Sequence, residues 1–189
     1  MKKSKRTHIL EVATDLFYRD GIHATGVDKI VAEAGVAKMT MYSHFPSKDD
    51  LILAYLDKRD TEWRTWFYES VNELAKEPID KLIALFDVLD TWFNGPDFNG
   101  CAFLNTVAEF TGISHPFHEA ALKHKEQLKD YIFDLVKATS ITDSNEIAIA
   151  DCLYLLVEGA IVTELMYQKG DSAKKAKVGA KLLLPINNK

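Results

Sequence analysis

Residues 25–48 read TGVDKIVAEAGVAKMTMYSHFPSK and spell two short helices joined by a tight turn. Thr25 has the chemistry of an N-cap, and Asp28 in the first turn suits the free amides and positive end of a helix starting near Gly26. Val27, Ile30, Val31 and Ala34 recur at spacings of three and four and make one apolar stripe. Gly35 ends this helix, because a residue without Cβ takes the left-handed conformation at little cost, so Ala34-Gly35-Val36 is the turn. A second helix is predicted from about Ala37 to His44. It buries Met41 and Phe45, four apart, and Pro46 forces the residue before it out of the helical region. Lys38, Met39, Thr40, Tyr42, Ser43 and His44 are left on its open faces. So short a helix must be held by its neighbours, and side chains free to point outward suit the major groove of DNA.

This segment resembles the helix-turn-helix of the TetR family of bacterial transcriptional regulators. The resemblance rests on Phe17, Gly21, Thr25, Ile30, Ala34-Gly35-Val36, Lys38, Thr40, Tyr42, His44-Phe45, Ser47-Lys48 and Leu51, roughly a quarter of the chain. Further on, Gly100-Cys101-Ala102-Phe103-Leu104-Asn105 resembles a phrase that opens a ligand-domain helix in some members. Two positions depart from the family. Ala37 stands where a capping Ser or Thr is usual, which weakens the helix start by about 1 kcal/mol. Met39 replaces a small residue, which shifts base preference from the common pattern. The resemblance implies an all-α protein of about nine helices. Residues 1–48 would form a three-helix DNA-binding domain and residues 49–189 an effector-binding and dimerisation domain.

Composition is compatible with this reading. The chain has 189 residues, 47% of them apolar and 27% charged, as expected of a folded globular protein. Its net charge of −5 alone argues against a general nucleic-acid binder. The distribution reverses that argument, since residues 1–48 hold eight Lys or Arg against five Asp or Glu and the remainder holds 15 against 23. Two distant cysteines, no signal peptide and no membrane span point to a reduced, cytoplasmic setting. Met1-Lys2-Lys3-Ser4-Lys5-Arg6 reads as a phosphate-touching arm leading into a helix.

Every periodic segment has the helical period. Helices are predicted over about Lys5–Asp20, from the Ser47 cap to Ala75, from Pro78 through Phe93, and over Ala102–Phe110, Pro116–Ala138, Ser144–Gly170 and Ser172–Leu184, the last ending before Pro185. Residues 147–166 are apolar nearly all round, yet Asp151, Glu158 and Glu164 would each cost several kcal/mol in hydrocarbon. A buried helix is therefore preferred to a membrane span. One face would pack in its own domain and the other on a second copy, with Leu153, Leu156, Gly159 and Ala160, and Val178 and Leu182 of the last helix, at an isologous four-helix interface. The resemblance implies the same homodimer.

Two recognition helices related by a two-fold axis would read half-sites about 34 Å apart in a near-palindromic operator. Lys38, Tyr42 and Lys48, with Thr25 and His44, are assigned to phosphates, and Met39 and Thr40 to base edges or thymine methyls, with Ser43 beside them. Competing roles are a packed aromatic for Tyr42, a helix-end cap for His44 and a solvated lysine for Lys48. Trp63, Phe67, Phe86, Trp92, Phe103, Phe110 and Tyr154, with polar Asn105, Glu109 and Glu158, could line a pocket for a small, mostly apolar effector. The same residues also read as core aromatics and solvated acids. His115, His118, Glu119 and His124 lack the spacing of a metal site, and no metal, cofactor or catalytic constellation is assigned. The functional reading is a dimeric one-component repressor released by an effector. Its alternatives are a DNA-binding dimer governed by a protein partner or by oxidation of Cys101, and, more distantly, an enzyme of unknown type.

Overall fold

The computed structural model describes residues 4–139 and 145–184. Among the described residues there are nine α-helices and no strand: α1 Lys5–Asp20, α2 Val27–Glu33, α3 Lys38–His44, α4 Lys48–Leu74, α5 Pro78–Phe93, α6 Ala102–Glu109, α7 Pro116–Lys137, α8 Glu146–Tyr167 and α9 Ser172–Leu183. Three expectations, the arm at Met1–Lys3, a helix start at Ser144 and the stop at Pro185, lie outside the described residues.

The described chain packs as two compact units, residues 4–62 with 101–124 and residues 63–100 with 125–139 and 145–184. By packing, α6 and the first half of α4 belong with α1–α3 in the first unit. Its core is built from Ile9, Ala13, Leu16 and Phe17 of α1 with Ile22, Ile30, Met41, Phe45, Leu51, Ile52 and Tyr55, all buried. Ser4 caps α1 by accepting the Thr7 amide at 3.1 Å, and Ser47 caps α4 by accepting the Asp50 amide at 3.0 Å.

In the second unit α5, α8 and α9 pack on one another. Leu82, Leu85, Phe86, Val88, Leu89 and Phe93 of α5 are buried, as the wide apolar arc of that helix predicts. Three of the four acids of α8, Asp151, Glu158 and Glu164, are held by partners. Asp151 pairs with Lys129 at 2.8 Å and Glu158 with Lys125 at 2.6 Å. Glu164 is buried and accepts the amides of Gly170 at 2.7 Å and Ser172 at 3.3 Å, so it fastens the turn between α8 and α9. No helix among the described residues is long and apolar enough to cross a membrane.

Burial alone would raise the Glu164 pKa, but the Gly170 amide and Ser172 outweigh it and hold the carboxyl below its usual value. A lowered folded-state pKa gives stability that is present above the unfolded value and is lost as pH falls through the folded one. Glu164→Ala is therefore expected to lose about 1–3 kcal/mol at neutral pH. Denaturant titrations should show the gap from wild type closing below about pH 4; a gap independent of pH would exclude the carboxylate as its source.

Candidate nucleic-acid interface

The turn between α2 and α3 is closed by two backbone bonds. The Val36 amide donates to the Val31 carbonyl at 3.0 Å and the Gly35 amide to the Ala32 carbonyl at 3.2 Å, the six-to-one and five-to-two pair that ends a helix on a left-handed residue. Gly35 supplies that residue with φ +62°. The His8 ring lies 3.1 Å from the Ala34 carbonyl, tying the end of α2 to α1. Ala37 is the N-cap of α3 and offers no side-chain hydrogen bond, so α3 starts without the usual cap.

Met41 is completely buried and fixes which way α3 faces. Lys38, Met39, Tyr42 and Ser43 are exposed, Met39 by 78%, while Thr40 and His44 are half-buried at the edges of the same face. These six side chains, from seven residues of one helix, form a convex surface of cationic, apolar and hydroxyl groups. The Lys38 ammonium is held by Asp28 at 2.8 Å, which keeps its pKa above the usual lysine value. The Ser43 hydroxyl donates to the Thr40 carbonyl at 2.7 Å. Arg6 lies over the Phe45 ring at 4.7 Å and adds a cation from α1 that the motif does not include.

Thr25 and Lys48 sit differently from the sequence expectation. Gly26, not Thr25, is the N-cap of α2, and no side chain caps that helix. Thr25 is wholly buried, with its hydroxyl donating to the Leu16 carbonyl at 3.4 Å, so a phosphate cannot reach it as it stands. Lys48 is half-buried and donates to the Ile22 carbonyl at 2.6 Å, and desolvation pushes its ammonium below the usual lysine value.

The ten residues assigned to an effector pocket divide between the two units. Trp63, Phe67, Phe86, Trp92, Tyr154 and Glu158 belong to the second. There Trp63 stacks on Phe67 at 4.5 Å and meets Trp92 edge-on at 5.6 Å, while Glu158 is engaged by Lys125. Phe103, Asn105, Glu109 and Phe110 belong to the first. Phe103 stacks on His124 at 3.9 Å, and Phe110 on His23 at 4.5 Å. Glu109 accepts the amides of Ile22 and His23 at 2.9 and 2.6 Å, so its carboxylate is engaged by backbone rather than exposed to a cavity. No local pattern of residues marks this contact, nor the pair of buried His124 with Asp60 at 2.8 Å. Cys101 is buried and Cys152 on α8 is exposed. Among the described residues no three His, Cys, Asp or Glu side chains cluster as metal ligands.

Of the residues assigned to a dimer interface, Leu153 and Ala160 are buried in the protomer's own core, because a nearly all-apolar α8 gives no sign of which face turns inward. Leu156 is half-buried against α9, where its methyl groups pack beside Gly179. Gly159, Val178 and Leu182 are exposed, and Leu155, Val162 and Met166 continue their surface along α8.

Residues 9–55 match the family described as bacterial regulatory proteins, tetR family, and residues 78–178 match the tetracyclin repressor-like C-terminal domain. The chain is 25% identical to the transcriptional regulator LmrA of Bacillus subtilis over 162 residues, 85% of this chain and 86% of that one. It is 33% identical to the transcriptional repressor KstR2 of Mycolicibacterium smegmatis over 84 residues, 44% of this chain and 40% of that protein. It is 26% identical to the transcriptional activator FasR of the same organism over 140 residues, 74% and 62% of the two chains. The chain thus spans less than two thirds of the latter two relatives. A TetR-family regulator from Streptomyces coelicolor superposes with a TM-score of 0.87 at 33% identity, covering 95% of this chain and 93% of that one.

The Lys38–Asp28 pair generates a prediction about this surface. Asp28→Ala removes an acid beside the face of α3 and leaves the Lys38 ammonium to phosphate alone. Affinity for any duplex should rise, and the slope of log affinity against log salt should steepen by up to about one unit. An unchanged slope in fluorescence-anisotropy titrations would mean that Lys38 does not meet the backbone.

Proposed function

The chain belongs to the TetR family of bacterial transcriptional regulators, a DNA-binding family, and on that premise we propose that it acts as a homodimeric repressor released from its operator by a small effector. The observation that carries the reading is the open face of α3, with Met41 locked beneath it and Lys38, Met39, Thr40, Tyr42, Ser43 and His44 above. Met39 and Thr40 lie near the N-terminal end of α3, the end through which recognition helices touch base edges. Lys38 and Tyr42 flank them and are assigned to phosphates, with Ser43 and His44 next along the helix. Lys48 donates one N–H to the Ile22 carbonyl, and its ammonium has two more for a phosphate.

Support for the dimer comes from α8 and α9. Leu155, Gly159, Val162 and Met166 follow at spacings of four, three and four, one stripe of a helix, and Val178 and Leu182 form a second stripe on α9. Leu155 is 65% exposed, Met166 74% and Leu182 83% in a single protomer. Large apolar side chains at that exposure, contiguous and centred on a glycine, suit an isologous interface of about 800 Å² per partner. Selection from a random duplex pool should yield a near-palindrome with half-site centres one helical turn apart. Leu182→Glu should sediment as a folded monomer at micromolar concentration and lose that operator; a fully dimeric variant would refute the interface.

An effector site in the second unit is supported by Gln127 and Tyr131, one turn apart on α7. Gln127 Oε1 and the Tyr131 hydroxyl are buried with no hydrogen-bond partner, and burial pushes the Tyr131 phenol pKa up. Tyr131 also stacks on Tyr68 at 4.0 Å. A buried polar group left unpaired costs about 1–3 kcal/mol, which a ligand offering a donor to Gln127 and a hydrogen bond to Tyr131 would recover. The effector is accordingly small and mostly apolar, with at least one N–H or O–H donor. A compound that raises the wild-type thermal midpoint and frees operator is expected to bind Gln127→Ala about tenfold more weakly; equal binding would place the site elsewhere.

A further inference from the structure

We infer that Glu109, at the end of α6, is a positioning residue for the helix-turn-helix, holding the turn from which α2 and α3 project without itself touching DNA. The inference rests on the operator-binding reading. The turn between α1 and α2 begins at Gly21, whose φ of +88° and ψ of 158° belong to a region that only glycine occupies without strain. A Cβ at Gly21 would stand 3.4 Å from Glu109 Oε1, so the carboxylate lies directly against the turn. Its two oxygens are divided between successive amides, Oε1 accepting Ile22 N–H at 2.9 Å and Oε2 accepting His23 N–H at 2.6 Å. The His23 ring Nε2 lies 3.0 Å from the Glu109 carbonyl and stacks on Phe110, so the last residues of α6 grip this turn through backbone, carboxylate and ring together. Lys48 of α4 donates to the Ile22 carbonyl of the same turn, near enough to the Glu109 carboxylate to feel its charge. The Ile22 peptide is thus held by α6 through its N–H and by α4 through its C=O.

That grip matters because the helices that follow are short and take their orientation from what holds them. Both α2 and α3 are seven residues long, and neither has a side-chain N-cap. Their orientation depends on tertiary ties. Glu109 ties the linker between α1 and α2 from 86 and 87 residues further along the chain. Charge-assisted bonds to backbone amides are about twice as strong as neutral ones, and withdrawing one carboxylate breaks both together. Any displacement of the end of α6 therefore loosens the base of the DNA-reading helices in a single step.

The test separates positioning from charge, because the two predict opposite signs. Removing an acid from a DNA-binding unit by itself strengthens duplex binding. If Glu109 positions the motif, Glu109→Gln and Glu109→Ala in the full chain should bind the selected operator about tenfold or more weakly while a scrambled duplex of equal length binds as well as before or better. Operator affinity that is unchanged or raised in both variants overturns the inference. Hydrogen exchange of the wild-type protein gives a readout that needs no variant. The Ile22 and His23 amides should be protected, and exchange at the rate of an open loop would also overturn it. A wild type that selects no operator would defeat the operator-binding reading, while these two amides would still test the contact itself.

Discussion

A helix of seven residues makes only a few internal hydrogen bonds after fixing the dihedrals of its first turn, so α2 and α3 cannot persist as isolated pieces. They stand because Ile30, Met41 and Phe45 are sunk in a core supplied by α1 and the start of α4. The amides of the turn at Ala34–Val36 satisfy the last carbonyls of α2. Once those side chains are buried, the rest of α3 has no choice of face. Lys38, Met39, Thr40, Tyr42, Ser43 and His44 are available to a ligand because Met41 is not. The same economy explains why an uncapped start at Ala37 is tolerated, since packing rather than propensity decides whether this helix forms.

The elements were legible because their punctuation is local. Ser47, Pro78 and Ser172 open helices, and Gly21 and Gly35 close them on positive φ, so the observed boundaries of α1, α5 and α9 lie at or within a residue of those read from spacing. Face was harder to read than period. In α8 nearly every position is apolar, so nothing in the pattern separates the inward Leu153 and Ala160 from the outward Leu155 and Met166. Thr25 was misplaced for a related reason: a threonine before a helix suits both a cap and a small buried hydroxyl, and only the neighbouring Leu16 carbonyl decides. Glu109 and His124 were beyond local reading altogether, because their partners are 86 and 64 residues away. A carboxylate on a short apolar helix looks the same whether it faces a pocket, solvent or a pair of amides.

The acids of α8 show how a mostly apolar helix is kept in an aqueous fold. Asp151 and Glu158 are neutralised by Lys129 and Lys125 of α7, and Glu164 by amides at its own C-terminal turn. Ion pairs as exposed as Asp151–Lys129 contribute little to stability, but they join α8 to α7 on its polar side. The surplus of acid beyond residue 48 and the surplus of base before it then direct DNA to the α3 face.

The central claim is that two copies of α3, each held rigidly by its own unit, read one face of a duplex symmetrically. Hydroxyl-radical footprinting of the wild-type protein on its selected operator tests this most directly. The account predicts two protected patches of equal length on each strand, about one helical turn apart and related by the operator's dyad. A single protected patch, or two of unequal depth with no dyad between them, would contradict it.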